Sequence, residues 1–166
     1  MHNRSFSALI LSSLVTLAST TLSAQSNVAP AQDSATEIQY AHAAETDPLT
    51  DTAKLERKEA MAFAQNDHKT HILLCQQLFQ QVTSNHAANA SEISLQYLVS
   101  AAAFVYEHPE AAADSNAQNV AGIEAALGVY EKFLAADSKS HSKFLDSLVK
   151  QRNDGKLKDY ISKVCK

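Results

Sequence analysis

One run of 19 residues, QNVAGIEAALGVYEKFLAA at positions 118–136, constrains the fold more than any other part of the sequence. Its larger apolar side chains recur at alternating steps of three and four, which places them on one face of an α-helix; they are Val120, Ile123, Leu127, Tyr130 and Leu134. Small residues form a second stripe on the opposite side, at Ala121, Ala125 and Gly128. Because a helix that is apolar on most of its circumference is normally surrounded by others, we expect a central helix with a neighbouring backbone close to the small residues.

The rest of the chain also favours helices over strands. The 166 residues include three glycines and three prolines, whereas Ala, Leu, Gln, Lys and Glu are abundant. Apolar residues at helical spacing, with their flanking caps and turns, predict further helices over about 48–66, 68–84, 90–107, 144–152 and 157–164. The predicted fold is therefore all-α: a small antiparallel bundle of about five to six helices around the central helix at 118–136.

The N-terminus has the pattern of a secretory signal peptide over residues 1–24. His2 and Arg4 give a positive start, residues 8–18 form an apolar core, and Ala24 ends a small-residue cleavage site. The alternative, an uncleaved membrane anchor, requires a longer apolar stretch than this one. We expect cleavage near Ala24 and a mature protein that is periplasmic or secreted, without a membrane span.

Residues 25–45 are rich in Ala, Gln, Ser, Asp and Thr and lack a sustained apolar period. This composition predicts a flexible, disordered linker, with a short helix over about 37–44 as the less favoured alternative. The domain organisation expected from the sequence is thus a signal peptide at 1–24, a linker at 25–45 and a single helical domain at 46–166.

Charge is distributed unevenly along the chain. Residues 25–138 carry 15 acidic and 5 basic side chains, whereas residues 139–166 carry 3 acidic and 8 basic ones. Opposite charge favours docking of the C-terminal segment on the rest of the domain, although two ordinary solvated surfaces would give the same composition. The basic segment is interrupted and has only Tyr160 as a stacking aromatic among its basic residues, which is not typical of a nucleic-acid-binding protein.

Two cysteines, Cys75 and Cys165, are the main candidate site residues. An even pair in an exported chain predicts a disulfide, here with a separation of 90 residues. An alternative is a structural zinc site, because His68 and His71 precede Cys75 at helical spacing and Cys165 would complete a Cys2His2 set. An oxidising compartment favours the disulfide, so we expect no metal and no cofactor.

The sequence contains none of the usual catalytic motifs. Its glycines, Gly122, Gly128 and Gly155, are too far apart to form a phosphate-binding loop, and a nucleophile elbow and a CxxC pair are also missing. Glu107 beside His108 is a possible acid–base pair, but adjacent charges are common on helix surfaces. We therefore expect a protein that is not an enzyme.

Three functional hypotheses follow. The first is binding of another protein, for example as an inhibitor or immunity-type protein that neutralises a toxin. The second is a carrier or sensor of a small ligand in a cavity lined by aromatic residues, namely Tyr97, Phe104, Tyr106 and Tyr130. The third is a structural envelope protein without a specific ligand. The sequence does not indicate an oligomeric state.

Overall fold

Helices form all the regular secondary structure of the described part of the chain. The computed structural model describes residues 33–68, 70–84 and 87–166. In chain order the helices are α1 (Ser34–Thr46), α2 (Asp51–Asn66), α3 (Gln76–Thr83), α4 (Ala90–Glu107), α5 (Ser115–Ala136), α6 (Lys143–Asn153) and α7 (Leu157–Val164). Short 3-10 turns cover Pro109–Ala111 and Ser138–Ser140. The predicted all-α fold with a central helix is confirmed, with seven α-helices in these ranges.

Helix α1 lies in the stretch predicted as a flexible linker, so that prediction is wrong from residue 34 onwards. The Asp33 side chain caps the helix by accepting a hydrogen bond from the Thr36 amide at 2.9 Å. Ala41 and Ala44 are fully buried, and α1 packs against α2 and α4. Alanines bury little apolar area each, so this face gives no strong periodic signal in the sequence. The predicted signal peptide at 1–24 and linker residues 25–32 lie outside the described residues.

The described residues between α2 and α3, 67–68 and 70–75, are not helical, although the sequence predicts a helix there. The predicted break at Asn66 is present, but α3 begins only at Gln76. Two buried side chains at the start of α5 hold the intervening backbone. Gln118 Oε1 accepts a hydrogen bond from the Leu73 amide at 2.7 Å, and Asn119 Oδ1 accepts one from the Cys75 amide at 2.9 Å. These long-range bonds take the place of the intrahelical bonds that the local spacing predicts.

Two hydrophobic cores share helix α4. The larger core combines buried residues from α3 to α7, including Leu78, Tyr97, Leu127, Leu148 and Ile161. The smaller core joins α1, α2 and α4 through Ala41, Ala60, Val99 and Ala103. Helix α4 packs against α1, α2, α3 and α5, so it is as central to the bundle as α5 is.

Helices α4 and α5 approach each other most closely at Gly122. A Cβ atom on this glycine would lie 2.6 Å from the backbone oxygen of Tyr97 and 2.6 Å from a carbon of its ring. Tyr97 has little room to move, because it is fully buried and its hydroxyl donates a hydrogen bond to Asn119. The small side chain of Gly122 therefore sets the distance between the two helices.

This contact predicts opposite effects for alanine at two glycines of the same helix. Gly122→Ala should lower the free energy of unfolding by about 1–3 kcal/mol, because overpacking outweighs the gain in helix propensity. Gly128→Ala should raise it by roughly 0.5–1 kcal/mol, because a Cβ there meets nothing within 4 Å. Urea unfolding of both variants measures the difference. Equal effects of the two substitutions would contradict the close approach at Gly122.

The C-terminal helices pack on the body mainly through apolar side chains. The predicted turn is present between α6 and α7, where Gly155 has a φ of 69°, a conformation that favours glycine. Leu157 and Ile161 of α7 are buried in the larger core. An ion pair of 2.7 Å joins Arg152 of α6 to Glu131 of α5, so opposite charge contributes to this docking beside the apolar contacts.

Candidate functional site

Cys75 and Cys165 are brought together, as the sequence predicts. Their sulfur atoms lie at disulfide distance and their Cα atoms are 5.3 Å apart. Cys75 is buried immediately before α3, whereas Cys165 is half-buried just after α7. The pair therefore joins the end of the chain to the segment that Gln118 and Asn119 hold against α5.

The helical premise of the alternative zinc site is wrong. His68 and His71 lie in the non-helical segment before α3, and both are exposed. The spacing that would align them with Cys75 on one helix face is therefore not realised, because the backbone there bonds to α5 instead. In the described ranges, no group of three or more His, Cys, Asp or Glu side chains is arranged to hold a metal ion.

The four aromatic residues proposed as a cavity lining lie in separate environments. Tyr97 and Tyr130 are fully buried in the larger core. The Tyr130 hydroxyl donates to Asp146 at 2.5 Å, and burial together with this carboxylate raises the pKa of Tyr130 to about 12. Phe104 and Tyr106 are half-buried, with their rings against His108 and Phe63 respectively. These aromatic residues therefore lie inside the cores or at their edges.

An open groove of about 580 Å³ lies between α1, α4 and α5. Its floor is the small-residue stripe of α5, formed by Ala121, Ala125 and Gly128. The sequence predicts that a neighbouring helix covers this stripe, but the close approach occurs at Gly122, and a Cβ at Gly128 would meet no atom within 4 Å. The stripe is thus left accessible as the base of a groove.

Charged side chains surround the groove. Glu45 and His42 come from α1, Glu107 from α4, and Glu124 and Lys132 from α5. The Lys132 ammonium donates hydrogen bonds to the backbone oxygens of Glu45 at 2.7 Å and Thr46 at 2.8 Å. Its charge therefore compensates the carbonyl end of α1. Three carboxylates remain around the opening, with His42 between two of them.

His42 connects the carboxylates on the two sides of the groove. Its Nε2 atom is 2.9 Å from Glu107 Oε1, and its Nδ1 atom is 3.7 Å from Glu45 Oε2. Burial opposes protonation of the imidazole, but the bond to Glu107 and the charges of both carboxylates outweigh it and raise the pKa of His42. Glu107 thus pairs with His42, whereas the predicted partner His108 contacts Glu110 at 3.3 Å.

Hydrogen bonds hold the wall of the groove in place. The Ser100 hydroxyl donates to Glu45 Oε1 at 2.6 Å and accepts a bond from the Gln96 amide at 2.9 Å. Gln96 Oε1 in turn accepts a bond from Nε of Arg57 at 2.7 Å. This chain links α2, α4 and α1 through buried groups, so the orientation of Glu45 is fixed before any ligand binds.

A buried carboxyl group lies between α1 and α4. The Glu37 side chain is fully buried, and neither of its oxygens has a hydrogen-bond partner among the described residues. Burial, with a smaller contribution from the charge of Glu107, raises the pKa of Glu37 to about 8. Glu37 therefore keeps its proton in the folded protein at neutral pH.

Comparisons with known proteins give no relative from which a function can be transferred. No protein-family model, curated protein or solved structure shows a significant match to the chain. Within the described ranges, none of the helices has the length and apolar character needed to cross a bilayer.

Proposed function

We propose that this is an exported helical protein that acts by binding another protein, and that the groove between α1, α4 and α5 receives a basic segment of that partner. The observation that carries the proposal is the open groove itself, with a floor of small side chains on a rigid helix and carboxylates around its rim. If the stripe served only to stabilise the fold, a neighbouring helix would normally cover it.

The compartment is part of the proposal. A signal-type N-terminus, a cysteine pair at disulfide distance and described helices that do not span a bilayer are all compatible with a periplasmic or secreted protein. The predicted cleavage near Ala24 would leave the helical domain and groove in the mature chain.

The chemistry of the groove favours a cationic polypeptide. Glu45, Glu107 and Glu124 are placed around the opening, whereas the charge of Lys132 is directed to the end of α1. The small floor residues leave room for the aliphatic stem of a lysine or arginine, whose charged end would reach the carboxylates. An inhibitor or immunity-type protein that neutralises a basic toxin is the version of this function that we favour.

Filling the groove should strongly weaken partner binding. Gly128→Leu places a large side chain on the floor, and we expect at least about a tenfold loss of partner capture from extracts of the exporting host. Ala135→Leu, at an exposed position of the same helix, is the matched control and should capture the partner normally. Thermal unfolding verifies that both variants fold.

Two outcomes would contradict the proposal. The first is equal capture by wild type and Gly128→Leu, which would place the binding surface elsewhere. The second is a native mass spectrum of protein from its host that contains a bound small molecule and no second polypeptide, which would support the carrier hypothesis instead.

A further inference from the structure

Arg57 is a buried cation that no carboxylate of the described residues contacts directly. It lies on α2, its side chain is fully buried, and no carboxylate in the described ranges lies within 4.0 Å of its guanidinium. Burial lowers the pKa of Arg57, although the more distant charges of Glu92, Glu56 and Glu45 act in the opposite direction. Charged groups are rarely buried unless a partner compensates them, because desolvation of an ion costs several kcal/mol.

The hydrogen bonds of Arg57 leave one of its nitrogens unused. Nε donates to Gln96 Oε1 at 2.7 Å, and Nη2 donates to the backbone oxygen of Ala44 at 3.0 Å. Both acceptors are uncharged. Nη1 is buried and has no hydrogen-bond partner among the described residues. The hydrogen bonds of Arg57 therefore leave its positive charge without a charged acceptor and its Nη1 atom without any acceptor.

A small pocket of about 190 Å³ between α2 and α4 has Arg57 in its lining. Besides Arg57, it is lined by Lys54 and Lys58 of α2, and by Ser91, Glu92 and Leu95 of α4. Both lysines are exposed. Lys54 contacts Asp51 at 3.0 Å, but that carboxylate is almost fully exposed, so the pair contributes little and its lysine is free to turn.

We propose that this pocket binds a small oxyanion, a carboxylate or phosphate group, whose charge compensates Arg57. The three cations Arg57, Lys54 and Lys58 would contact the ligand from one face of α2, and Nη1 supplies the donor that now has no acceptor. Glu92 is the opposing charge in the pocket, and its Oε2 accepts a hydrogen bond from the Ser91 hydroxyl at 2.6 Å. The balance of these four side chains remains positive and favours an anion.

The test follows the Arg57 side chain directly by NMR. The full-length disulfide-bonded protein, labelled with ¹⁵N, is titrated with inorganic phosphate or acetate against chloride at equal ionic strength. The sequence has three arginines, so the Nε–Hε signal of Arg57 can be assigned and Arg152 serves as an internal reference. We expect the Arg57 signal to move with saturation while the Arg152 signal stays in place. A response to either anion supports the site and identifies the preferred group.

Surface variants separate the site from general charge effects without removing Arg57, which the fold itself uses. Lys54→Gln combined with Lys58→Gln should weaken anion binding roughly tenfold. Lys158→Gln combined with Lys163→Gln, two exposed positions on α7, changes the net charge equally and should leave binding unchanged. Absence of an Arg57 response to both anions, or equal weakening in the two double variants, would overturn the proposal.

Discussion

Replacing both cysteines by alanine should lower the free energy of unfolding by about 4–5 kcal/mol. The bond between Cys75 and Cys165 closes a loop of 90 residues, and the loss of chain entropy in the unfolded state grows with loop length. A small domain has a total stability of only about 5–15 kcal/mol, so the variant should be close to unfolded at physiological temperature. Urea unfolding of wild type and variant under non-reducing conditions gives this difference.

The effect should be largest at the C-terminus. Helix α7 has eight residues, too few to be stable by itself, and is held by Leu157, Ile161 and the bond at Cys165. Hydrogen exchange in the double variant should therefore accelerate first in α7. Free thiols in unreduced, denatured wild-type protein, or a loss of stability below about 1 kcal/mol, would contradict the assigned role of the cysteine pair.

Stability should also fall as pH rises from about 4.5 to 8, because of Glu37. Its pKa is about 8 in the folded protein and near 4.5 when the chain is unfolded, so the folded state binds an additional proton between these values. The contribution of Glu37 is fully present below pH 4.5 and is lost progressively up to pH 8, for a total of up to about 5 kcal/mol. Above pH 8 it should stay constant.

Glu37→Gln isolates this contribution, because glutamine has a similar shape and does not ionise. The variant should be more stable than wild type at pH 8 by a few kcal/mol, about 2–4, and the difference should disappear near pH 4.5. Glu59→Gln, an exposed position on α2, controls for the change in net charge. If the difference between Glu37→Gln and wild type did not grow with pH, Glu37 would have to be paired in solution.

The sequence predicts those features that local periodicity determines. The large apolar residues of α5, the break at Asn66 and the turn at Gly155 all lie where the pattern places them. The pairing of Cys75 with Cys165 could be predicted because a chain with two cysteines has one possible intramolecular disulfide. Each of these inferences needs only neighbouring residues or a count.

Features that depend on distant contacts were missed. The residues before α3 have the local spacing of a helix, but the amide groups of Gln118 and Asn119 bind the backbone at Leu73 and Cys75, and no local pattern indicates this. Helix α1 was the less favoured alternative because its buried face consists of alanines and an acid, Glu37, whose burial depends on packing of α1 against other helices. Propensity and periodicity do not include such tertiary effects.

The groove was missed for a related reason. A stripe of small residues is compatible with close helix packing or with an open floor, and the sequence does not distinguish the two. Close packing occurs at Gly122, whereas Gly128, less than two turns later, faces open space. Glu124 and Lys132 beside the stripe were the signal that this side of α5 meets water.

The most direct test of the account is the affinity of the purified partner for three forms of the protein, measured by calorimetry: wild type, Gly128→Leu and Ala135→Leu. The proposed groove predicts at least about tenfold weaker binding for Gly128→Leu alone, and weaker wild-type binding as salt increases, because carboxylates at the rim meet a basic segment. Wild-type affinity in Gly128→Leu, or an equal loss in Ala135→Leu, would show that the groove is not the binding surface.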